Sequence, residues 1–432
     1  MKIYILNFNI GVIQLKKNST SFITSLFLLI CLMFNICSNN SYVFASEPPS
    51  SIGADGVVLM DALTGQVLFS KNMNSAYAPA STTKIMTALL TLENCDLSES
   101  VTISANAYGI EGSKIWLLEG ETVTVKDLLY SLMISSANDS ATALAEHISG
   151  TVEDFAKLMN SRAKELGAKN TNFVNPHGLY DANHKTTAYD LALIMREVMK
   201  HPEFKEFGGA ITYTIPANSK SESRTLWSSN KITNGSYTYE EYSVEASKTG
   251  FTEESLHSFV ASAIKDNQRL IIALIHDNGT TYYKDTLNLF NYGFSNFELK
   301  KLYTKGDSIP KGIINGSEIP LLSGDDVYYV GQIGIHYNLV PTYNITLDKQ
   351  TYHVGDNVGE GSITIDSNKI NFPLLSGTEY SNTKTKTNSS AQEYEKSYMP
   401  FLFYILVICI LILITRIIQV KIKRKSTKKR FK

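Results

Sequence analysis

The sequence predicts an α/β (α+β) protein: an antiparallel sheet covered by helices, then a small all-β domain and a C-terminal transmembrane helix. Three observations carry this. Strand-like apolar runs stand at both ends of a long first segment with helical periodicity between them, which suggests one sheet assembled from both termini. After residue 295 the pattern changes to short alternating strands separated by Gly, Pro, Asn and Asp. Near the C-terminus, Met399 to Thr415 is uncharged and mostly apolar, and a run of bases follows it.

In chain order, Lys16 and Lys17 precede an apolar stretch from Phe22 to Cys37, and Val43, Phe44 and Ala45 offer the small residues of a cleavage site. Residues 1–45 therefore read as a secretory signal peptide. Ile30 and Ile36 before Cys31 and Cys37 argue against lipid attachment. Val57 to Met60 and Gln66 to Phe69 flank Leu63-Thr64-Gly65 as a hairpin. Helical patterns follow at Thr83 to Thr91, Val125 to Ile134, Ser140 to Ile148, Val152 to Leu166 and Thr187 to Met199. Strands return at Val244 to Thr252, Ser258 to Ile264 and Leu270 to His276, the last turn marked by Asp266-Asn267, and a helix from Tyr283 to Tyr292 stops before Gly293.

The expected domains are thus 46–294 and a β-rich 295–375, then a polar stalk at 376–398 rich in Thr, Asn, Ser, Lys and Glu. A membrane helix at 399–420 follows, with a basic tail at 421–432. By the positive-inside rule that tail is cytoplasmic, so the expected location is the cell membrane, single-pass, with the catalytic domain outside. Phe401 to Ile414 has no polar face, which excludes a surface-lying amphipathic helix.

The formal net charge of -1 conceals this layout. The basic ends take twelve of the 40 Lys and Arg, leaving 28 against 41 acidic residues between Ser46 and Tyr398. An excess of thirteen negative charges there excludes a nucleic-acid partner, which requires clustered positive charge. Cys95 is the only cysteine between the signal peptide and the membrane helix, so that segment has no intramolecular disulfide and relies on its core.

Three short motifs carry chemistry. Ser81-Thr82-Thr83-Lys84 places a hydroxyl and an amine one turn apart, and a lysine made less basic by burial or by a second cation can take the serine proton. Ser136-Ala137-Asn138 falls between two predicted helices, where a loop points a second hydroxyl and an amide into a cleft. Lys248-Thr249-Gly250 lies on a predicted strand, where Gly250 permits close approach and Lys248 and Thr249 offer charge and a hydroxyl to a carboxylate. Each alone reads as an ordinary cap or strand, but their joint order is the set known from penicillin-binding proteins and class A β-lactamases.

With these motifs the chain resembles the low-molecular-mass penicillin-binding proteins, the serine-type D-alanyl-D-alanine carboxypeptidases. The likeness covers about Ala54 to Phe294, including Pro176-His177-Gly178 and Thr186-Thr187-Ala188. It implies a β-lactamase/transpeptidase-like fold and no cofactor or metal. Peptidoglycan stem peptides ending in D-Ala-D-Ala would be substrates, and β-lactam antibiotics covalent inhibitors. Ser81 is then the expected nucleophile, Lys84 its base, Ser136 the proton relay and Asn138 the holder of the substrate amide. Lys248 and Thr249 receive the terminal carboxylate beside Gly250, and the N–H groups of Ser81 and Phe251 form an oxyanion hole.

Ala137, Ala246, Ser247, Ser255 and Leu256 depart from the family pattern, and Lys284 stands nearest the place of a carboxylate-binding arginine. His177 and His184 lack a third ligand at sensible spacing and read as structural, with Asp181 and Asp190 as turn and helix-cap residues. Two alternatives stand beside this reading. A β-lactamase is disfavoured because no Glu with Leu-Asn three residues on follows the second motif; the other alternative is a non-catalytic penicillin- or peptidoglycan-binding relative.

Overall fold

The computed structural model describes residues 47–49, 51–237, 241–314, 317–365 and 368–381. The segments expected to be a signal peptide, a membrane helix and a basic tail, and most of the expected stalk, lie outside the described residues. Among the described residues no helix is long and apolar enough to cross a membrane.

The chain opens with the hairpin β1 (Gly56–Asp61) and β2 (Val67–Lys71), turning through Gly65 at φ 74°. A 3-10 turn, Ala80–Thr83, runs into α1 (Lys84–Asn94). Then come β3 (Ser100–Thr102), α2 (Ala105–Gly109), β4 (Thr122–Thr124), α3 (Val125–Ile134), α4 (Asn138–Ser149), α5 (Val152–Glu165), α6 (Ala188–Val198) and α7 (Phe204–Gly208). Thr124, Thr151 and Thr187 cap α3, α5 and α6 with their hydroxyls, and Thr124 with Asp127 forms a full capping box. The hairpin β5 (Thr212–Ile215) and β6 (Arg224–Trp227) precedes β7 (Ser243–Thr252), β8 (Leu256–Lys265), β9 (Gln268–Asp277) and α8 (Tyr282–Asn296). The turn between β8 and β9 has Asp266 and Asn267 both at positive φ, as a tight hairpin requires.

The central sheet has the order β2-β1-β9-β8-β7 and is antiparallel throughout. Alternation along its strands builds two cores. Val58, Met60, Ile271, Ala273 and Ile275 face a helical core made by α1, α3, α4, α5 and α6. Val57, Leu59, Leu270, Ile272 and Leu274 face α8, whose Leu289, Phe290 and Phe294 join Phe259 and Tyr283.

Three helix ends differ from the sequence reading by two residues or more. α1 runs on to Asn94 rather than stopping at Thr91, α4 starts at Asn138 rather than Ser140, and α8 continues through Gly293 to Asn296. Gly293 is a packing residue rather than a stop: a Cβ there would sit 2.6 Å from Leu270 Cδ1 and 3.1 Å from Leu59 Cδ2, so a side chain at this point would have to displace those leucines.

After α8 the described residues form strands only: β10 (Phe297–Tyr303), β11 (Ser308–Ile314), β12 (Ser317–Ser323), β13 (Val327–Gln332), β14 (Thr342–Ile345), β15 (Thr351–Tyr352), β16 (Asn357–Ile365), β17 (Asn368–Ser376) and β18 (Tyr380–Ser381). They are not one unit. Chain contacts give a first unit that takes residues up to Thr304 together with Asp326–Leu339 and Ile365–Ile370, so the β10–β13 ribbon belongs to it. The five-stranded sheet β11-β12-β17-β16-β14 contains most of the second unit's strands. β18 (Tyr380–Ser381) pairs with β15, so regular structure extends six residues into the stretch read as stalk.

Candidate active site

Ser81 sits in the 3-10 turn that delivers the chain to α1. The turn is held by Thr82, whose Oγ1 donates to Pro79 O at 2.7 Å, and by Ala80 at φ 49°. Gly178, at φ 87°, presses against it; a Cβ there would stand 1.9 Å from Ala80 O, so the position admits glycine alone.

One turn beyond Ser81, the fully buried Lys84 points its Nζ back to Ser81 Oγ at 3.0 Å. The same Nζ donates to Asn138 Oδ1 at 2.8 Å and to His177 O at 2.6 Å. Burial holds the Lys84 amine well below the ordinary lysine range, the Lys248 charge adds to this, and Asp139 opposes it. A neutral amine has two N–H groups and one lone pair. With the two carbonyl oxygens taking the N–H groups, such an amine would turn its lone pair to the Ser81 hydroxyl.

Ser136 occupies the loop between α3 and α4 at φ 55°. Its Oγ accepts from Lys248 Nζ at 2.9 Å, and Lys248 also donates to Thr249 O at 2.9 Å. Burial lowers Lys248 to about 7. Asn138 is fastened at both ends of its amide, since Nδ2 donates to Glu111 O at 2.7 Å while Oδ1 receives Lys84. Beside it Asp139 accepts from the backbone N–H groups of Ile115 and Leu117, which fixes one wall of the cleft.

Gly250 brings β7 against the serine turn. A Cβ on it would lie 2.8 Å from Pro79 O and 2.9 Å from Ser81 N, closer than side chains allow. A cleft of about 590 Å³ opens between this strand and the Ser136 loop, lined by Ser81, Ser136, Lys248, Thr249, Gly250 and Phe251. Phe251 is 55% exposed and its ring rests on His257 at 4.5 Å between centroids.

All eight sequence-selected residues are therefore together, with Asn138 reaching the group through Lys84. Lys284 is not among them: it is exposed, and the cleft's other basic groups are Lys231 and His257. The unusual residues beside β7 have structural work. The Ser247 hydroxyl meets Asn230 Nδ2 at 2.9 Å and Thr233 Oγ1 at 3.1 Å, tying the strand to the loop that forms the far wall. Ser255 bonds Thr252 within the β7–β8 turn, and Ala246 packs on Gly208 of α7.

Both histidines are buried and held neutral. His184 Nδ1 accepts from Val174 N–H at 3.0 Å, so its proton is on Nε2, facing Thr83 Oγ1 at 2.8 Å. Burial pushes His177 down to about 3 and His184 to about 4. His177 contributes through its carbonyl. That acceptor, like Glu111 O, is a backbone group and has no sequence signature. Asn230, Lys231, Tyr237, Tyr282 and Tyr283, which line the far side of the cleft, also escaped sequence reading.

This geometry has known counterparts. A family model described as D-alanyl-D-alanine carboxypeptidase matches residues 42–279. D-alanyl-D-alanine carboxypeptidase DacF of Bacillus subtilis is 38% identical over 266 residues, covering 60% of this chain and 66% of that protein. D-alanyl-D-alanine carboxypeptidase DacA of Haemophilus influenzae is 32% identical over 333 residues, covering 72% and 78%. Among solved structures, penicillin binding protein 5 from Haemophilus influenzae superposes with a TM-score of 0.66 at 27% identity, covering 77% of this chain and 99% of that one. The carboxypeptidase from Mycobacterium tuberculosis gives 0.54 at 28%, covering 58% and 94%. With a family match over more than half its length and the same fold around a serine–lysine pair, the chain belongs to the D-alanyl-D-alanine carboxypeptidase family.

Proposed function

We propose that this protein is a serine-type D-alanyl-D-alanine carboxypeptidase that removes the terminal D-alanine from peptidoglycan stem peptides. The observation that carries the mechanism is the Lys84 amine, buried and 3.0 Å from Ser81 Oγ with its N–H groups already engaged by two carbonyl oxygens. Ser81 Oγ attacks the carbonyl carbon of the penultimate D-alanine while Lys84 takes its proton. The oxyanion that forms is met by the backbone N–H groups of Ser81 and Phe251, on the turn and strand that Gly250 brings together.

Collapse of this intermediate breaks the peptide C–N bond. Ser136 gives a proton to the leaving amine and recovers one across its contact with Lys248. The terminal carboxylate lies against Lys248 and Thr249, and the second N–H of Asn138 Nδ2 holds the substrate amide. As D-alanine leaves, Lys84 gives up the proton it took and Lys248 regains one by exchange with solvent in the open cleft. The neutral Lys84 then takes a proton from water, whose oxygen attacks the ester carbonyl, and that proton returns to Ser81 Oγ as the acyl–oxygen bond breaks. A β-lactam enters as a mimic of the peptide and leaves its acyl group on the same oxygen.

The charge layout and apolar segments support an extracytoplasmic catalytic domain at the cell membrane, with 399–420 as a single membrane span. Residues 295–375, with β11-β12-β17-β16-β14 as the main sheet, serve as a β-rich spacer before the stalk at 376–398.

The test is incubation of the protein with a fluorescent penicillin and, separately, with diacetyl-lysyl-D-alanyl-D-alanine. Covalent label and released D-alanine, both lost in Ser81→Ala, are expected. Fast steady turnover of nitrocefin would replace this reading with a β-lactamase, and binding without label or release would leave a non-catalytic relative.

A further inference from the structure

At the end of α1 remote from Ser81, three side chains of different chemistry converge from three chain segments. Cys95 caps the helix C-terminus, Glu99 ends the turn before β3, and His147 stands in the last turn of α4. One potential ligand atom from each lies within 4.8 Å of the others. An 11-residue helix spans about 16 Å, so this cluster is separate from the cleft.

The cluster is held in place before any ion arrives. Asp96 N–H donates to Glu99 Oε1 at 2.7 Å, and Glu99 N–H returns a bond to Asp96 O at 3.0 Å, which closes a tight turn. Val125 N–H and Lys126 N–H then bond Glu99 O and Leu97 O, fastening the turn to the start of α3. The other Glu99 oxygen faces His147 Nε2 at 2.8 Å, with both side chains open to solvent at 40% and 26% exposure. Cys95 packs on the edge of the helical core, and its thiol has no hydrogen-bond partner among the described residues.

We propose that Cys95 Sγ, Glu99 Oε2 and His147 Nε2 form a binding site for a zinc-class divalent cation, with water as the fourth ligand. A thiolate, an imidazole and a carboxylate form a donor set for a borderline-soft tetrahedral ion, whereas calcium and magnesium take oxygen cages. Tetrahedral bonds of about 2.0–2.3 Å put ligand atoms about 3.3–3.8 Å apart, so closing the cluster needs only about 1 Å of side-chain movement. Binding exchanges the thiol proton for the metal and moves the imidazole proton from Nε2 to Nδ1, so one proton is released per ion. The carboxylates of Glu99 and Asp96 beside the thiol are also what draws a cation to it. The ion ties the end of α1 to α4 and to the β3 turn, a cross-link in a domain that has no disulfide.

The experiment uses the full chain in detergent, stripped with a chelator and desalted, then loaded with Zn²⁺ or Co²⁺. Wild type is expected to retain one equivalent of zinc, and with Co²⁺ to show tetrahedral visible bands and a thiolate-to-cobalt charge-transfer band. Zn²⁺ should raise its melting temperature. Cys95→Ser should lose the charge-transfer band and the melting shift while still unfolding cooperatively without metal, and His147→Gln should weaken binding by about tenfold or more. Failure of wild type to retain metal would overturn the proposal. So would stoichiometry, spectrum and melting shift that survive Cys95→Ser.

Discussion

The two faces of the central sheet are built from different material. On the α8 side the core is aromatic and aliphatic, with Phe259, Tyr283, Phe290 and Phe294 packed on Leu59, Ile272 and Leu274. On the other side aliphatic helices enclose a polar interior: Lys84, Thr87, Asn138, Asp139, His177, His184 and Lys248 are all buried. Nearly every polar group there has a named partner, such as Thr87 Oγ1 donating to Pro176 O at 2.6 Å. Buried polar groups cost stability unless satisfied, so a domain carries them where they perform chemistry. One face holds the fold together and the other holds the amine, hydroxyls and amide in register.

The largest effect that separates the faces is expected from Ser81→Ala. It should lower D-alanine release by about 10³-fold or more with the melting temperature little changed. Phe290→Ala, which removes a fully buried ring on the inner face of α8, should do the reverse. A loss of about 3–5 kcal/mol in stability is expected, with the acylation rate per folded molecule preserved. A melting curve and penicillin-labelling kinetics on the same samples decide both, and a Phe290→Ala protein that is folded but slow would break the division.

Gly250→Ala tests the seam between strand and serine turn. The added methyl must push Pro79 O and Ser81 N–H away, and a shift of this kind should cost about 10²-fold in acylation with a smaller loss of stability. The most gradual effect concerns pH. Lys248 titrates at about 7 in the folded protein against 10.5 when unfolded, so between these values the unfolded chain binds more protons. Stability should therefore rise with pH across that window, by up to about 1.4 kcal/mol per pH unit for each such group. Lys248→Met should flatten the slope, and Phe290→Ala should lower the whole curve without changing it. Chemical denaturation at several pH values measures this; a slope unchanged by Lys248→Met would place its origin elsewhere.

Much of this arrangement was legible because local patterns and tertiary structure agree. β1, α3, α5, α6 and β7–β9 fall within two residues of their expected bounds, since apolar periodicity and threonine caps mark them. Ser81, Lys84, Ser136 and Lys248 are legible as motifs, because chemistry that needs side chains leaves a trace in sequence. What escaped has a different origin. β3 and β4 are three residues each and pair across a long gap, and β5–β6 is half exposed, so none has a strong period. The division of the strands after residue 296 between two units depends on long-range pairing of β10 with β13, which no local pattern encodes. Carbonyl acceptors such as His177 O are invisible for the same reason.

The position of β1 bears on how the molecule comes into being. β1 lies between β2 and β9, and residues near it bond groups as far off as Asp285, which Gly53 N–H meets 232 residues along the chain. Loop closure of that length places the sheet among slow-folding topologies, on a scale of about milliseconds to seconds. At ribosomal rates of about 5–20 residues per second, β1 also waits on the order of ten seconds or more for β9 to be synthesised. Until then Val57, Val58, Leu59 and Met60 have one covered edge, from β2, and one bare edge. The strand that completes the sheet is made first and is exposed to aggregation for longest, so the nascent chain needs shelter over nearly the whole length of the domain.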